Sequence, residues 1–565
     1  MDKDKTIDRL LGALSIEEKI AQMMVLGVPG LVVDPLMTEF IGKYGIGGLR
    51  LSAHANRKFV RYMHKGSCAE KNVTRAPQWR EKIMDNTIQS RRVCAGEYSV
   101  FLNSLRRKTF EQRGLPVHMV ADFEFGGGDF TPPGMISLPA PMGFGHLGDL
   151  DLIKRAANAS ASQIKAVGID WIHSPVVDVN VNPYNPEIYY RSYHETAPVV
   201  SACAKAALDG FKNANLIGTL KHFPGRGASS EDAHFGLTEI SAGKREMDEI
   251  HLKPYRDLIQ SGHAQSIMLA HTIYPGLDPT REIATVSDYI IRELLREELN
   301  FQGVITTDSL TMGGLMERYS VSQSCIMAVN SGVDILLLKD ENSLRFELHA
   351  DLVNAVRQGV IAEDKINASL KRIWSLKWDY GLFENGGVVA PEKADLAMRN
   401  DKFHSVSREA SARAIRILRD EDKLLPLRPE QNVLVIDRLT FAQTSRNDSW
   451  NYPGMLWDFM RRHSENIGYI DYTPQTADKI GETINQIINH VDIIVVTANF
   501  DRNDEGHNDK DFVRSLKKYG KPIIMISSNP YRELLIPDEI GSVIVTYGLM
   551  REQLEAAAQV LYLKK

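Results

Sequence analysis

Short apolar runs alternate with amphipathic stretches through the first two thirds of the chain. The runs are Met23–Gly27, Gly47–Leu51, His118–Asp122, Trp171–Asp178, Gly218–His222, Ile267–His271, Val304–Asp308 and Ile335–Leu338. Each is short and bounded by turn residues, as buried strands are. Between them the period changes to that of a helix. In Asp288–Leu299, residues Ile290, Ile291, Leu294, Leu295 and Leu299 fall on one face. Ser15 followed by Glu18 is a capping box that opens an early helix. Eight such alternations predict a closed parallel (β/α)8 barrel.

One interval is out of line. Residues 53–115, between the second and third runs, are rich in charge and contain helix-like patches such as Ala76–Ser90, with Pro77 suited to a first turn. The spacing predicts an insertion on the barrel, helical in part, at its rim or side. After Gly381 the pattern loosens. The expected organisation is a barrel over 1–384, a linker over 385–403 containing Asn-Gly-Gly and Pro391, and a second unit over 404–565. That unit opens on a helix around His404–Arg419. It then repeats strand and helix, with strands at Val433–Asp437, Ile467–Tyr472, Ile493–Ala498, Ile523–Ser528 and Val543–Tyr547. Continuous apolar strands between helices predict a parallel or mixed sheet covered on both faces, a smaller α/β sandwich.

The length, 565 residues, suits two domains. A net charge of −5 supplies no basic field to hold nucleic acid, and no apolar run is as long as a membrane span. The opening MDKDKTIDRLLGALSIEEKI lacks the apolar core and small-residue cleavage site of a signal peptide, so a cytoplasmic setting is expected. The four cysteines, Cys68, Cys94, Cys203 and Cys325, lack metal-ligand spacing and read as reduced thiols. The glycines at 126–128 do not form a dinucleotide fingerprint, and no cofactor is implied.

Active sites of such barrels lie at the C-terminal ends of the strands. There the sequence places Asp122, Asp178, Lys221 with His222, His271, Asp308 and Lys339. Strand ends are wetter than strand middles, which accounts for one or two of these but not for six. The segment Lys221-His222-Phe223-Pro224-Gly225-Arg226-Gly227 runs from a strand into a loop of small residues that carries Asp232 and His234. A carboxylate two residues before an imidazole can fix its tautomer and stabilise the imidazolium. A histidine so held suits general acid/base work near neutral pH, although a surface loop could carry the same pair without function.

These residues resemble glycoside hydrolase family 3, and within it the β-N-acetylglucosaminidases. Lys-His-Phe-Pro-Gly followed by Asp232-Ala233-His234 is similar to the family's signature. So are Val304-Ile305-Thr306-Thr307-Asp308-Ser309-Leu310-Thr311-Met312, and Asn182-Pro183 and Asn185-Pro186 followed by Arg191-Ser192-Tyr193. Met268-Leu269-Ala270-His271 with Ala284-Thr285-Val286-Ser287 completes a likeness over most of residues 15–385, in the family's order.

The resemblance implies a retaining enzyme that removes terminal β-linked N-acetylhexosamine. Asp308 is the expected nucleophile, and His234, held by Asp232, the expected acid/base. Asp122, Arg191, Lys221 and His222 match positions that hold the sugar's hydroxyls, while a buried ion pair is the other reading of Arg191 and Lys221. Asp178 and His271 read as supports as readily as sugar contacts. The implied partners are small oligosaccharides or glycoconjugates such as peptidoglycan or chitin fragments, with neither nucleic acid nor membrane and no oligomeric state indicated.

Three departures stand out. The family's Asp-x-Glu-Gly-Gly-Arg is here Asp122-Phe123-Glu124-Phe125-Gly126-Gly127-Gly128; Arg226 replaces a common His; and the insertion precedes Asp122. The alternatives are a β-glucosidase or β-xylosidase of the same family, with Glu505 in the second domain as its acid/base, and a phosphorylase using phosphate in place of water. A binding protein that has lost catalysis and a metal-dependent hydrolase are further ones. The intact nucleophile and dyad weigh against the first of these two, and the lack of a His-x-His or close His/Cys cluster against the second.

Overall fold

A computed structural model describes residues 2–29, 35–52, 94–125, 132, 134–234, 236–338, 344–440, 452–500 and 508–563. Helix Ile16–Met23 opens on the expected capping box, with Ser15 and Glu18 satisfying each other's backbone N–H groups. It delivers the first barrel strand, Met24–Pro29. The strands that follow are Gly48–Ser52, His118–Ala121, Trp171–Ile172, a fifth split into Ile217–Gly218 and Leu220–Phe223, Ser266–Leu269, Val304–Thr307 and Leu336–Leu338. Each is parallel to its neighbour in chain order, and the eighth pairs with the first. The bridges Val176–Lys221 and Thr306–Ile335 join the remaining seams, so the sheet closes into a (β/α)8 barrel.

The helices cover this barrel with the faces that the sequence pattern predicts. In Tyr289–Glu298 the buried residues are Ile290, Ile291, Leu294 and Leu295. Within the stretch read as an insertion, residues 53–93, including Ala76–Ser90, lie outside the described ones. Its remainder holds helix Ala95–Arg113, the crossover from the second strand to the third, which packs against Leu150–Val167 and Pro391–Met398. The last of these helices lies within 385–403, started by a proline in its first turn.

The second sheet has the order Arg416–Asp420, Ser542–Val545, Ile523–Ser527, Ile493–Ala498, Val433–Arg438, Ile467–Tyr472. All strands are parallel except the first, which runs antiparallel to Ser542–Val545. Alternate residues enter opposite cores: Leu434, Ile436, Ile494 and Val496 on one face, Val433, Val435, Ile493 and Val495 on the other. This period of two explains why the strands are apolar throughout. The expected helix His404–Arg419 is shorter, Asp401–Ala414, and Arg416–Asp420 forms the edge strand instead. That strand is half solvated, with Arg416, Ile417 and Leu418 exposed, so it carries no inward apolar period to mark it.

The core on the first of these faces also takes in Ala140, Met142 and Tyr189 from the barrel, and Phe500 packs edge-on against Tyr189 at 5.4 Å. The sandwich therefore meets the barrel beside the segment that carries Arg191.

Candidate active site

The seventh barrel strand ends at Thr307 and presents Asp308 at the barrel mouth. The Ser309 N–H donates to Asp308 Oδ1 at 2.7 Å. Burial works against ionisation of this carboxyl, but His271, His222 and His234 and the Ser309 N–H outweigh it and hold it below the usual carboxylate range. Asp308 is thus a carboxylate at neutral pH, surrounded by imidazoles.

His234 comes from the loop after the fifth strand. Its Nδ1 lies 2.7 Å from Asp232 Oδ1, which also accepts the His234 backbone N–H at 2.9 Å. Asp232 is buried, whereas the His234 side chain is 27% exposed. Asp232 thus engages the Nδ1 edge of the ring.

The other two histidines are set differently. His222 Nδ1 lies 2.7 Å from Asp178, whose carboxylate also accepts the backbone N–H groups of His222 and Arg226. Asp178 is fully buried, so it orients the turn and His222 and is itself out of reach of a ligand. Its neighbours outweigh burial and keep it ionised below the usual range. His271 is also buried, with Nε2 2.9 Å from the Ser309 carbonyl and Nδ1 2.7 Å from Thr285 Oγ1. A carbonyl only accepts, so Nε2 carries the proton. Burial pushes the His271 pKa down despite Asp308, which suits a neutral ring that braces the loop after Asp308.

Asp122, Lys221 and Arg191 belong to one ionic chain with Glu124. Lys221 Nζ lies 2.6 Å from Glu124 Oε1 and 3.3 Å from Asp122 Oδ1. Arg191 forks onto Glu124 with contacts of 2.7 and 2.8 Å. Asp122 also pairs with Arg50 and accepts from His173 at 3.2 Å. Both acids are held well below their usual range, because these cations outweigh the cost of burial. Asp122 keeps 30% of its side chain exposed, and Lys221 only 4%. Arg191 and Lys221 are therefore in ion pairs, with Asp122 the most open member of the chain.

The sequence pattern does not single out Arg50 or His173, and it marks Glu124 only as a surviving residue of the family's Asp-x-Glu motif. Arg50 had a signal, since a charge between Leu49 and Leu51 faces opposite to them. Phe125, at the family's glycine position, adopts φ 47° and is wedged among Phe144, Tyr193 and Phe211. That aromatic cluster offsets the cost, about 1 kcal/mol, of a left-handed conformation without glycine. Lys339 and Glu505 lie outside the described residues.

Although the sequence shows no close His/Cys cluster, the fold assembles two trios with metal-ligating chemistry among the described residues: His146, His194 and Glu195, and Glu187, Asp232 and His234. Cations already sit at both. Arg416 approaches His146 at 3.0 Å, and Arg226 approaches Glu187 at 2.5 Å.

The profile of the glycosyl hydrolase family 3 N terminal domain matches residues 15–376. The chain belongs to this family. It is 31% identical over 296 residues to beta-hexosaminidase A of Pseudoalteromonas piscicida, covering 50% of this chain and 49% of that one. It is 28% identical over 335 residues to a beta-N-acetylglucosaminidase/beta-glucosidase of Cellulomonas fimi, covering 57% and 58%. The matches thus span about half the length of these relatives. The fold is shared with a family 3 beta-N-acetylglucosaminidase from Paenibacillus sp. str. FPU-7, with TM-score 0.78, 23% identity and 97% of each chain covered.

Proposed function

We propose that this family 3 protein is a retaining, exo-acting β-N-acetylglucosaminidase that works by double displacement. The pairing of His234 with Asp232 at 2.7 Å, on a loop within electrostatic reach of Asp308, carries the reading. Asp308 attacks the anomeric carbon while His234 gives its Nε2 proton to the leaving oxygen, so the aglycone departs and a glycosyl–Asp308 ester forms. The neutral imidazole then takes a proton from water, and the hydroxide oxygen displaces Asp308. The depressed Asp308 pKa supports an ionised nucleophile at neutral pH. Asp122, Arg191, Lys221 and His222 would hold the sugar hydroxyls, with Asp122 accepting and the cations donating. No cofactor enters this chemistry.

The hexosaminidase names of the relatives favour an N-acetylated sugar. Small imported fragments of peptidoglycan or chitin are the proposed substrates, in the cytoplasm. The three described cysteines, all unpaired, fit a reducing compartment. Among the described residues no helix is long and apolar enough to cross a membrane. The same reading divides the chain into a catalytic barrel through 384, a linker, and a sandwich from 404.

The double name of the Cellulomonas fimi relative favours a second reading in which plain glucosides are also taken. Initial rates on 4-nitrophenyl β-glycosides of N-acetylglucosamine and glucose, for wild type and His234→Ala, with and without phosphate, test both. Strong preference for the N-acetyl sugar, lost with His234, is expected, together with trapping of a 2-fluoro glycoside on Asp308. Preference for glucose, or indifference to His234, would move the acid/base elsewhere, with Glu505 tested next. Release of sugar 1-phosphate would make the enzyme a phosphorylase.

A further inference from the structure

Asp232 is not alone at the Nδ1 edge of His234. Glu187 Oε1 lies 3.7 Å from the same nitrogen, and the Glu187 side chain is 1% exposed. Its other oxygen, Oε2, meets Arg226 Nη1 at 2.5 Å, where Arg226 is 1% exposed, and accepts the Ala233 N–H at 3.3 Å. Asn185 ties the two partners together. Its Oδ1 accepts the Glu187 N–H at 3.0 Å, and its Nδ2 donates to the Arg226 carbonyl at 2.9 Å. The Arg226 N–H in turn binds Asp178, the acid that orients His222.

We infer that the buried Glu187–Arg226 pair governs how firmly His234 holds its proton, which makes Glu187 a positioning residue for the acid/base. The inference rests on the reading of His234 as that acid/base.

At 3.7 Å the Glu187 carboxylate does not take the proton from Nδ1 but acts on the ring through its field. The wall there is buried, so water screens the field poorly. The charged or titratable groups that act on His234 are Asp232 and Glu187 at its Nδ1 edge, Arg226 behind Glu187, the Asp308 carboxylate and the His271 ring. Glu187 favours the imidazolium, and Arg226 tempers it by drawing off one oxygen. The nearer charge dominates, so the pair as a whole raises the proton affinity of the ring. Glu187 also fixes the loop at Ala233, so a shape-preserving change is needed to separate charge from position.

The test is the pH profile of kcat/KM on N,N′-diacetylchitobiose, whose sugar leaving group needs the proton. Glu187→Gln should move the alkaline limb down by about one pH unit, the scale for one opposite charge within 4–6 Å, and leave the acid limb, set by Asp308, in place. Arg226→Met should move the alkaline limb up. If either single variant fails to fold, by far-UV circular dichroism and melting, the double variant decides, because replacing both ions avoids an unpaired buried charge. Its limb should lie below wild type, by less than in Glu187→Gln. An unmoved alkaline limb in a folded Glu187→Gln or double variant overturns the inference, provided His234→Ala is inactive in the same assay. Retained activity in His234→Ala would overturn the acid/base reading and this inference with it.

Discussion

The Tyr531 hydroxyl, in the sandwich, donates to Glu195 Oε1 on the barrel at 2.9 Å. It also accepts from Asn180 Nδ2 at 2.9 Å, so one phenol closes two polar contacts across the seam. Burial would raise the Glu195 pKa, but His146 and the Tyr531 hydroxyl outweigh it and hold the carboxyl at about 2. Tyr531→Phe keeps the ring and leaves both barrel groups short of a partner. Such a loss costs about 1–3 kcal/mol, most of it from the stranded acceptor and donor. The expected result is a lower thermal midpoint, by about 2–4 °C per kcal/mol at domain size, with KM on a simple glycoside unchanged. An unchanged midpoint would mean that the seam is held by its apolar contacts alone.

Asp437 lies next to the last residue of strand Val433–Arg438 in the sandwich and is buried. Its Oδ1 accepts the Thr497 hydroxyl at 2.7 Å. Burial, which this one bond only partly offsets, pushes its pKa up to about 7. The ordinary value in an unfolded chain is about 4. The folded state therefore binds the proton more tightly, and stability falls as the pH rises from about 4 to about 7 and is level beyond. Asp437→Asn removes that loss while keeping an acceptor for Thr497. Urea unfolding of the two proteins should give similar midpoints near pH 4 and a more stable variant at pH 8, by a few kcal/mol. Parallel curves across that window would show that the fold does not raise the Asp437 pKa.

What the sequence makes legible follows the range of each interaction. Val304–Asp308 reads as a strand ending on an acid because the signal is a local period, and Asp232 and His234 read as a pair because they are two residues apart. The ionic chain around Glu124 is another matter. Its links span 67 residues to Arg191 and 99 from Asp122 to Lys221, so only the closed barrel brings them together. Glu187 follows Pro186 in an unremarkable loop, and nothing nearby marks it until Arg226 arrives. The edge strand Arg416–Asp420 is half solvated and lacks the apolar period that reveals its neighbours. Local patterns thus expose strands and sequence-adjacent pairs, while partners chosen by the fold stay hidden.

Glu124 is the anion shared by two cations of the proposed sugar site, accepting from Lys221 at 2.6 Å and from Arg191 at 2.7 and 2.8 Å. Glu124→Gln removes the charge that holds them and turns an amide N–H toward one of the donors. Both cations would remain, poorly compensated and free to swing. If they hold the sugar equally in the ground and transition states, the loss falls on KM and leaves kcat nearly intact. A hydrogen bond to a charged group is worth about 1.5–3 kcal/mol, so kcat/KM should fall by about 10- to 150-fold. Lys221→Met should give a loss of the same order. Because the two groups share one contact, the double variant should lose less than the product of the single losses. Full additivity would show that Lys221 and Glu124 act independently, and a fall confined to kcat would place the chain in the chemical step instead of in sugar binding.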